Sequence, residues 1–192
     1  MNKESAAPNV MAIVTRFNRL VSWTQWTVLR SEKAEGRVRT IHFFIKTARA
    51  LREMHNYAGM YALVTGLQGV AVKRLQLTWA LVKRKKSEKL QALVDFMKLD
   101  QQYVPPPLLH YDKIDISSCR YAAYREHLAK LPSSVPCVPY VGPYLGQLTF
   151  VEEMPRLLHG LVNVARLRAV HSSIQALLRF QHSPSYRYSP LA

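Results

Sequence analysis

Apolar positions along the chain recur every three or four residues, the spacing that predicts amphipathic helices. The first run covers residues 9–30, with Trp23 and Trp26 beside the apolar stripe, where core packing is the favoured interpretation. A second run covers residues 38–51, and a third, short and mostly apolar, covers residues 60–67. The pattern therefore predicts three helices in the first 70 residues, the third of them buried.

The remainder of the chain repeats this pattern with one interruption. Residues 70–99 predict two more helices, and residues 121–131 and 161–181 predict one helix each. Residues 100–118 contain three consecutive prolines and no sustained period, which is typical of a loop or an extended insertion. No alternating strand pattern of useful length occurs, so the expected fold class is all-α.

Composition and charge narrow the class of protein. With 192 residues and 48% hydrophobic residues, the chain is long enough for one domain with a substantial core. Its 27 Lys and Arg against 12 Asp and Glu give a formal charge of +15, which indicates an anionic partner: nucleic acid, a phospholipid surface or an acidic protein. The basic run at residues 83–86 is interpreted first as a solvated helix end, with a nuclear signal or an acidic-lipid contact as alternatives.

Several classes of site have no support in the sequence. The glycines form no phosphate-binding loop, the histidines form no HExxH array, and no serine lies in a GxSxG elbow. Cys119 and Cys137 lack metal-ligand spacing, so no metal and no cofactor are expected, and reduced thiols fit the cytosol. No apolar run is long enough to cross a membrane. Specific nucleic-acid binding has only the charge in its favour.

Three blocks of sequence carry a resemblance to a known family. They are RFNRLVSW at 16–23, ALREMHNYAGMYALVTGLQGVAVKRLQLTW at 50–79 and PCVPYVGPYLGQLTFVEE at 136–153. Their order, spacing and text resemble the catalytic domain of Ras-family guanine-nucleotide exchange factors. The resemblance implies a single helical domain over residues 9–188 with a protruding helical hairpin, after a flexible N-terminus at 1–8 and with an insertion loop at 100–118. The family's first helices precede the RFN block, so an N-terminally truncated domain is expected.

The resemblance also implies a function and a set of site residues. The hairpin would enter the nucleotide site of a Ras-like small GTPase and promote GDP release without covalent chemistry. Glu153 and Thr149 match the positions that intrude on the magnesium site, whereas Glu152 is expected to be a solvated neighbour. Tyr140, Tyr61, Gln68 and Lys73 match positions that contact the GTPase, although Tyr61 could equally belong to the core.

Two further hypotheses stay open at this point. The hairpin sequence EEMPRLLHGLVN is shorter than the family's pattern, so a catalytically weak relative that serves as a protein-interaction module is the alternative function. The positive charge favours recruitment of a cytoplasmic protein to acidic lipids on the inner face of a membrane, with Lys83, Arg84, Lys85 and Lys86 as the candidate contacts.

Overall fold

A computed structural model of the chain describes residues 6–98, 121–182 and 184–186. The predicted insertion loop at 100–118 and Cys119 lie outside the described residues. Contacts within the chain divide it into two compact units, residues 1–95 and residues 96–192.

The first unit is built from helices. They are α1 (Pro8–Leu29), α2 (Ala34–Glu53), α3 (Tyr57–Gln68), α4 (Val70–Lys73), α5 (Gln76–Ala80) and α6 (Arg84–Phe96), whose last residue begins the second unit. The first three confirm the helices predicted over the first 70 residues. The two helices predicted between residues 70 and 99 are instead three, because the chain turns at Arg74 and Leu75 between α4 and α5.

The buried helix α3 organises this unit, and α1 and α2 both pack against it. Asn56 begins α3, since its side-chain oxygen accepts a hydrogen bond from the Gly59 N–H at 2.9 Å. A Cβ atom at Gly66 would lie 2.6 Å from the Cβ atom of Thr24, so glycine allows α1 to approach α3 closely. Thr24 is fully buried there, and its hydroxyl donates to the Leu20 carbonyl oxygen at 2.8 Å.

The tryptophans of α1 correct one expectation. Trp23 and Trp26 are 47% and 58% exposed, so they lie outside the core in which they were predicted to pack. The face of α1 turned toward α3 carries smaller side chains, including Thr24 and the fully buried Val28. Trp79 is half-buried, and its indole N–H donates to the Val72 carbonyl oxygen at 2.9 Å.

The second unit contains three helices and a small hairpin. They are α7 (Ala122–Lys130), α8 (Gly142–Glu152), β1 (Leu157–Leu158), β2 (Leu161–Val162) and α9 (Val164–Leu178). The strands pair antiparallel around His159 and Gly160, both with positive φ, as a two-residue hairpin turn requires. The helix predicted over residues 161–181 is therefore shorter: it begins at Val164, where the Asn163 side chain caps it by accepting from the Arg166 N–H at 3.1 Å.

Helices α8 and α9 pack together as a helical hairpin. Their shared core contains Val151 of α8, Met154 just beyond its end and Ala169 of α9, with Phe150 and Val170 packed beside it. The stripe of larger apolar side chains on α9 is largely exposed, since Val164, Leu167, Ile174 and Leu178 are 44–53% exposed. Small residues such as Ala169 and Ser173 are buried in its place. In the part of the chain that the structure describes, β1 and β2 are the only strands, and the all-α fold class is confirmed.

Candidate functional site

The six predicted site residues are divided equally between the two units. Thr149, Glu153 and Tyr140 belong to the second unit, on or beside α8. Tyr61, Gln68 and Lys73 belong to the first, on α3 and α4.

Thr149 and Glu153 lie on the exposed side of α8. They are four residues apart, so they lie one above the other on the same face of the helix. Both are exposed, and so is Gly146, which precedes Thr149 by three residues and has open space around its Cα hydrogens. The Thr149 hydroxyl donates to the Leu145 carbonyl oxygen at 3.0 Å, which fixes its rotamer along the helix. This face can therefore receive the backbone of a partner closely.

The opposite side of α8 is anchored to the rest of its unit. Val151 and Met154 are almost fully buried against α9. The Arg166 guanidinium donates to the Val151 carbonyl oxygen at 3.2 Å, and the Asn163 amide donates to the Pro155 carbonyl oxygen at 3.0 Å. These bonds satisfy carbonyl groups at and beyond the end of α8. The position of Glu153, the C-cap residue, is consequently held on both sides.

Glu152 and Glu153 differ in their direction around the helix. Both side chains are exposed, and among the described residues neither carboxylate forms an ion pair. Glu153 continues the stripe of Gly146 and Thr149, whereas Glu152 lies to one side of it because successive residues are rotated by about 100°. The structure therefore brings Thr149 and Glu153 together on one face and leaves Glu152 beside it.

Tyr140 lies just before α8, and Tyr124 of α7 holds its backbone. The buried Tyr124 hydroxyl accepts a hydrogen bond from the Tyr140 N–H at 2.7 Å and donates one to the Tyr140 carbonyl oxygen at 3.2 Å. The Tyr140 ring is half-buried and lies 6.4 Å from the Tyr121 ring, edge to face. It also covers Gly142, where a Cβ atom would overlap the ring and the hydroxyl oxygen. Tyr124 and Gly142 thus fix where the Tyr140 ring can lie.

Arg125 attaches the first turns of α8 to α7. Its guanidinium donates to Gln147 Oε1 at 2.9 Å and to the Pro143 carbonyl oxygen at 3.3 Å, and it lies 4.9 Å from the centre of the Tyr144 ring.

Sequence reasoning missed Tyr124 and Arg125, because their period on α7 signals only an amphipathic helix. Gln147 is buried, and a buried glutamine in an apolar run is the signal that could have predicted a polar partner.

In the first unit, Tyr61 and Gln68 share the least buried stripe of α3. They are seven residues, or two turns, apart, and Ala58 and Thr65 complete the stripe, whose members are all partly exposed. The Tyr61 ring lies 6.0 Å from the Phe17 ring of α1. Tyr61 is therefore neither a core residue nor fully solvated, since it is partly exposed and its ring packs beside Phe17 of α1.

Gln68 and Lys73 line one open groove of about 540 Å³. Leu67, Trp79 and Leu90 form its apolar side, and Gln76, Ser87 and Gln91 contribute polar groups. Lys73 is the last residue of α4 and is exposed. The groove offers apolar contact with hydrogen-bonding groups along its margin, which is the composition of a protein-contact surface.

Cys137 lies in the quoted third block, three residues before Tyr140. It is buried and unbonded, and burial raises the pKa of its thiol from 9.0 to about 11, although the Arg179 guanidinium opposes this. The thiol is therefore protonated near neutral pH and suits a packing role rather than nucleophilic chemistry.

Other kinds of site have no representative in the described ranges. No group of three or more His, Cys, Asp or Glu side chains there could hold a metal ion. No helix among those residues combines the length and apolar character that crossing a bilayer requires.

Comparisons with known proteins identify the family. The model of the RasGEF domain matches residues 1–168. The chain is 32% identical over 187 residues to Ras guanine nucleotide exchange factor J of Dictyostelium discoideum, covering 96% of this chain and 20% of that protein. It is 29% identical over 185 residues to Ras-specific guanine nucleotide-releasing factor RalGPS2 of Homo sapiens, covering 96% of this chain and 28% of that protein. The chain thus spans less than a third of the length of these relatives. It belongs to the RasGEF domain family.

Proposed function

We propose that this RasGEF domain is a guanine-nucleotide exchange factor that promotes GDP release from a Ras-like small GTPase. The α8–α9 hairpin enters the nucleotide site of the GTPase, with Glu153 and Thr149 directed toward the magnesium and phosphate positions. The observation that carries the proposal is the pairing of Thr149 with Glu153 on the exposed face of α8, while the opposite face is anchored by Val151 and Met154.

The chemistry needs charge and volume rather than a covalent step. A carboxylate brought close to the phosphate groups raises the free energy of bound nucleotide by like-charge repulsion, and side chains at the metal position exclude Mg²⁺. Among the described residues, neither Glu152 nor Glu153 forms an ion pair within the chain, and both side chains are exposed. By linkage, a factor that binds the nucleotide-free GTPase best lowers nucleotide affinity by the same ratio.

The remaining predicted residues supply the grip on the GTPase. Tyr140 offers a positioned aromatic ring, an anchor of the kind that contributes most to interface free energy. In the first unit, Tyr61 and Gln68 present the open stripe of α3, and Gln68 shares its groove with Lys73. These contacts hold the GTPase while its nucleotide site is opened.

The proposal includes an acidic lipid surface as a second partner. Lys83 precedes α6, and Arg84, Lys85 and Lys86 form its first turn. Ras-like proteins act at the inner face of membranes, so an attraction of this cytoplasmic domain to acidic lipids would bring it to its partner.

Release of a fluorescent GDP analogue from purified Ras-, Rap- and Ral-type GTPases tests the function. Exchange predicts faster release with at least one of them, and the Glu153→Ala variant should lose most of the acceleration. The alternative, a catalytically weak protein-interaction module, predicts binding to a GTPase with no acceleration. No binding and no acceleration with any of the three types would contradict both.

A further inference from the structure

A cationic face extends over α2 and the beginning of α6 in the first unit. Its members are Lys46 and Arg49 of α2, and Lys83, Lys85, Lys86 and Lys89 at or near the start of α6. Lys46 and Arg49 are three residues apart on one side of α2, and Lys85 and Lys89 are four residues apart on one side of α6. Arg49 lowers the pKa of Lys89, with smaller contributions from desolvation, Lys85 and Lys86. The pKa of His42, one turn before Lys46, is lowered by burial and then by Lys86 and Lys83.

Among the residues that the structure describes, little acidic charge compensates this face. Glu53 lies 3.7 Å from Arg49, a loose and exposed pair, and Glu88 is bonded to Arg84 at 2.9 Å rather than to a lysine of the face. The first turn of α6 contains no acidic residue, so its cations also oppose the helix dipole. Such an arrangement lowers the stability of the isolated fold, which indicates that the charge serves a partner.

Exposed aromatic side chains adjoin the cations. Phe43 is 60% exposed and precedes Lys46 by three residues, on the same side of α2. Its ring lies 5.5 Å from the Phe44 ring, which in turn lies 5.3 Å from the ring of Trp23, itself 47% exposed. Phe43 therefore adds an exposed aromatic side chain beside Lys46, and Trp23 exposes part of its ring where it packs on the buried Phe44.

We propose that the cationic face, together with Phe43 and Trp23, is a docking surface for a bilayer of anionic phospholipids. The inference deepens the lipid contact of the proposed function, because it replaces one run of four residues with a surface on two helices that has an apolar component. A bilayer presents phosphate groups and an apolar layer in adjacent planes, which complements cations flanked by exposed aromatic rings. Each Lys or Arg close to the bilayer strengthens binding by about fivefold.

Co-sedimentation with vesicles tests the surface without any GTPase, so its outcome is independent of exchange activity. The chain is mixed with phosphatidylcholine vesicles and with vesicles that also contain phosphatidylserine or a phosphoinositide. The variant Lys46→Glu/Lys89→Glu changes two members of the face, and Lys33→Glu/Arg168→Glu makes the same charge change at exposed positions elsewhere. Phe43→Ser removes the aromatic component, and circular dichroism checks that each variant is folded.

We expect the chain to bind anionic vesicles only. The affinity for these vesicles should fall by roughly 25-fold or more in the Lys46/Lys89 variant, and the fold-change in the control should be less than half as large. Phe43→Ser should weaken the binding that persists at 0.3 M salt, where charge attraction is screened. Exchange measured in solution without vesicles should be unchanged in the Lys46/Lys89 variant. Equal loss in both charge variants, no loss in the Phe43 variant, or preferential binding to duplex DNA would overturn the proposal.

Discussion

The hydroxyl group of Tyr124 holds the backbone of Tyr140 at both of its polar groups. It accepts from the Tyr140 N–H at 2.7 Å and donates to the Tyr140 carbonyl oxygen at 3.2 Å, from a fully buried ring. A side chain that supplies both partners to one residue sets that residue's backbone orientation. The ring of Tyr140, proposed to meet the GTPase, is therefore positioned from α7.

Tyr124→Phe should remove both hydrogen bonds while keeping the ring in the core. The partly buried N–H of Tyr140 would then lack this partner, so we expect the free energy of unfolding in urea to fall by about 1–3 kcal/mol. GDP release from the partner GTPase should slow as well, because the Tyr140 ring is no longer fixed.

The variant Tyr140→Ala distinguishes positioning from general destabilisation. If Tyr124 acts through the Tyr140 ring, Tyr124→Phe should have little further effect on exchange when Tyr140 is already alanine, although its effect on unfolding persists. Additive losses of exchange in the double variant would contradict this relationship.

Gly142→Ala and Gly146→Ala form a matched pair within α8. A Cβ atom at Gly142 would overlap the Tyr140 ring, whereas one at Gly146 meets no heavy atom within 4 Å. We expect Gly142→Ala to destabilise the fold by about 1–3 kcal/mol and to slow exchange. Gly146→Ala should stabilise the fold by roughly 0.5–1 kcal/mol, since alanine favours the helix. Urea unfolding of the two variants measures the difference, and equal shifts would show that the ring moves aside freely.

Glu153→Ala should reduce exchange more than Glu152→Ala. Only Glu153 continues the stripe of Gly146 and Thr149 on α8, while Glu152 lies beside it. Both side chains are exposed, so neither change should alter the free energy of unfolding by more than about 0.5 kcal/mol. GDP-release rates with saturating factor make the comparison, and equal losses from the two variants would place the hairpin differently in the GTPase.

The alkylation rate of Cys137 should rise with pH only at higher pH than for an exposed thiol, because Cys137 is buried. Burial raises the thiol pKa from 9.0 to about 11, so the folded state holds the proton more tightly than the unfolded state. This contribution to stability is fully present below pH 9 and is lost as the pH rises through 11.

In a Cys119→Ser chain, the iodoacetamide rate of the folded protein should therefore keep rising between about pH 10 and about pH 11. The rate in urea should be half-maximal near pH 9 and level off about one pH unit higher, and at neutral pH the folded thiol should carry about 100-fold less thiolate. A folded-state rate that is half-maximal near pH 9 would show that Cys137 is open to solvent.

The sequence predicted the order of the long helices because their apolar period is clear. It did not predict which side of a helix is buried when small residues determine the packing. Thr24 is buried because Gly66 lets α1 approach α3, and the larger Trp23 is left outside. On α9, the small residues Ala169 and Ser173 face inward. The Ser173 hydroxyl can be buried because it donates to the Ala169 carbonyl oxygen at 2.9 Å.

In the candidate site too, positions within one block of sequence could be predicted, whereas contacts between separate helices could not. The text of the third block made Thr149, Glu153 and Tyr140 candidates, and the shared face of Thr149 and Glu153 follows from helix geometry. Tyr124 and Arg125 come from another helix, and hydrogen bonds between elements distant in sequence leave no period by which to predict them. The short β1–β2 hairpin was missed because two-residue strands are below the length at which alternation can be recognised.

Competition between nucleotide and exchange factor is the central consequence of the mechanism. If the α8–α9 hairpin occupies the metal and phosphate positions, bound Mg-nucleotide and the factor must weaken each other's affinity by the same ratio. A module that docks on an outer face of the GTPase has no such requirement. Tyr140→Ala should weaken the complex by about 2 kcal/mol or more in either case, because it removes an aromatic anchor.

Size-exclusion chromatography of the chain with a Ras-like GTPase, before and after chelation of Mg²⁺, tests the central claim most directly. The account predicts a stable complex only with the nucleotide-free GTPase, and dissociation of that complex when excess GDP or GTP is added with Mg²⁺. A complex that persists unchanged in excess Mg-nucleotide would contradict it.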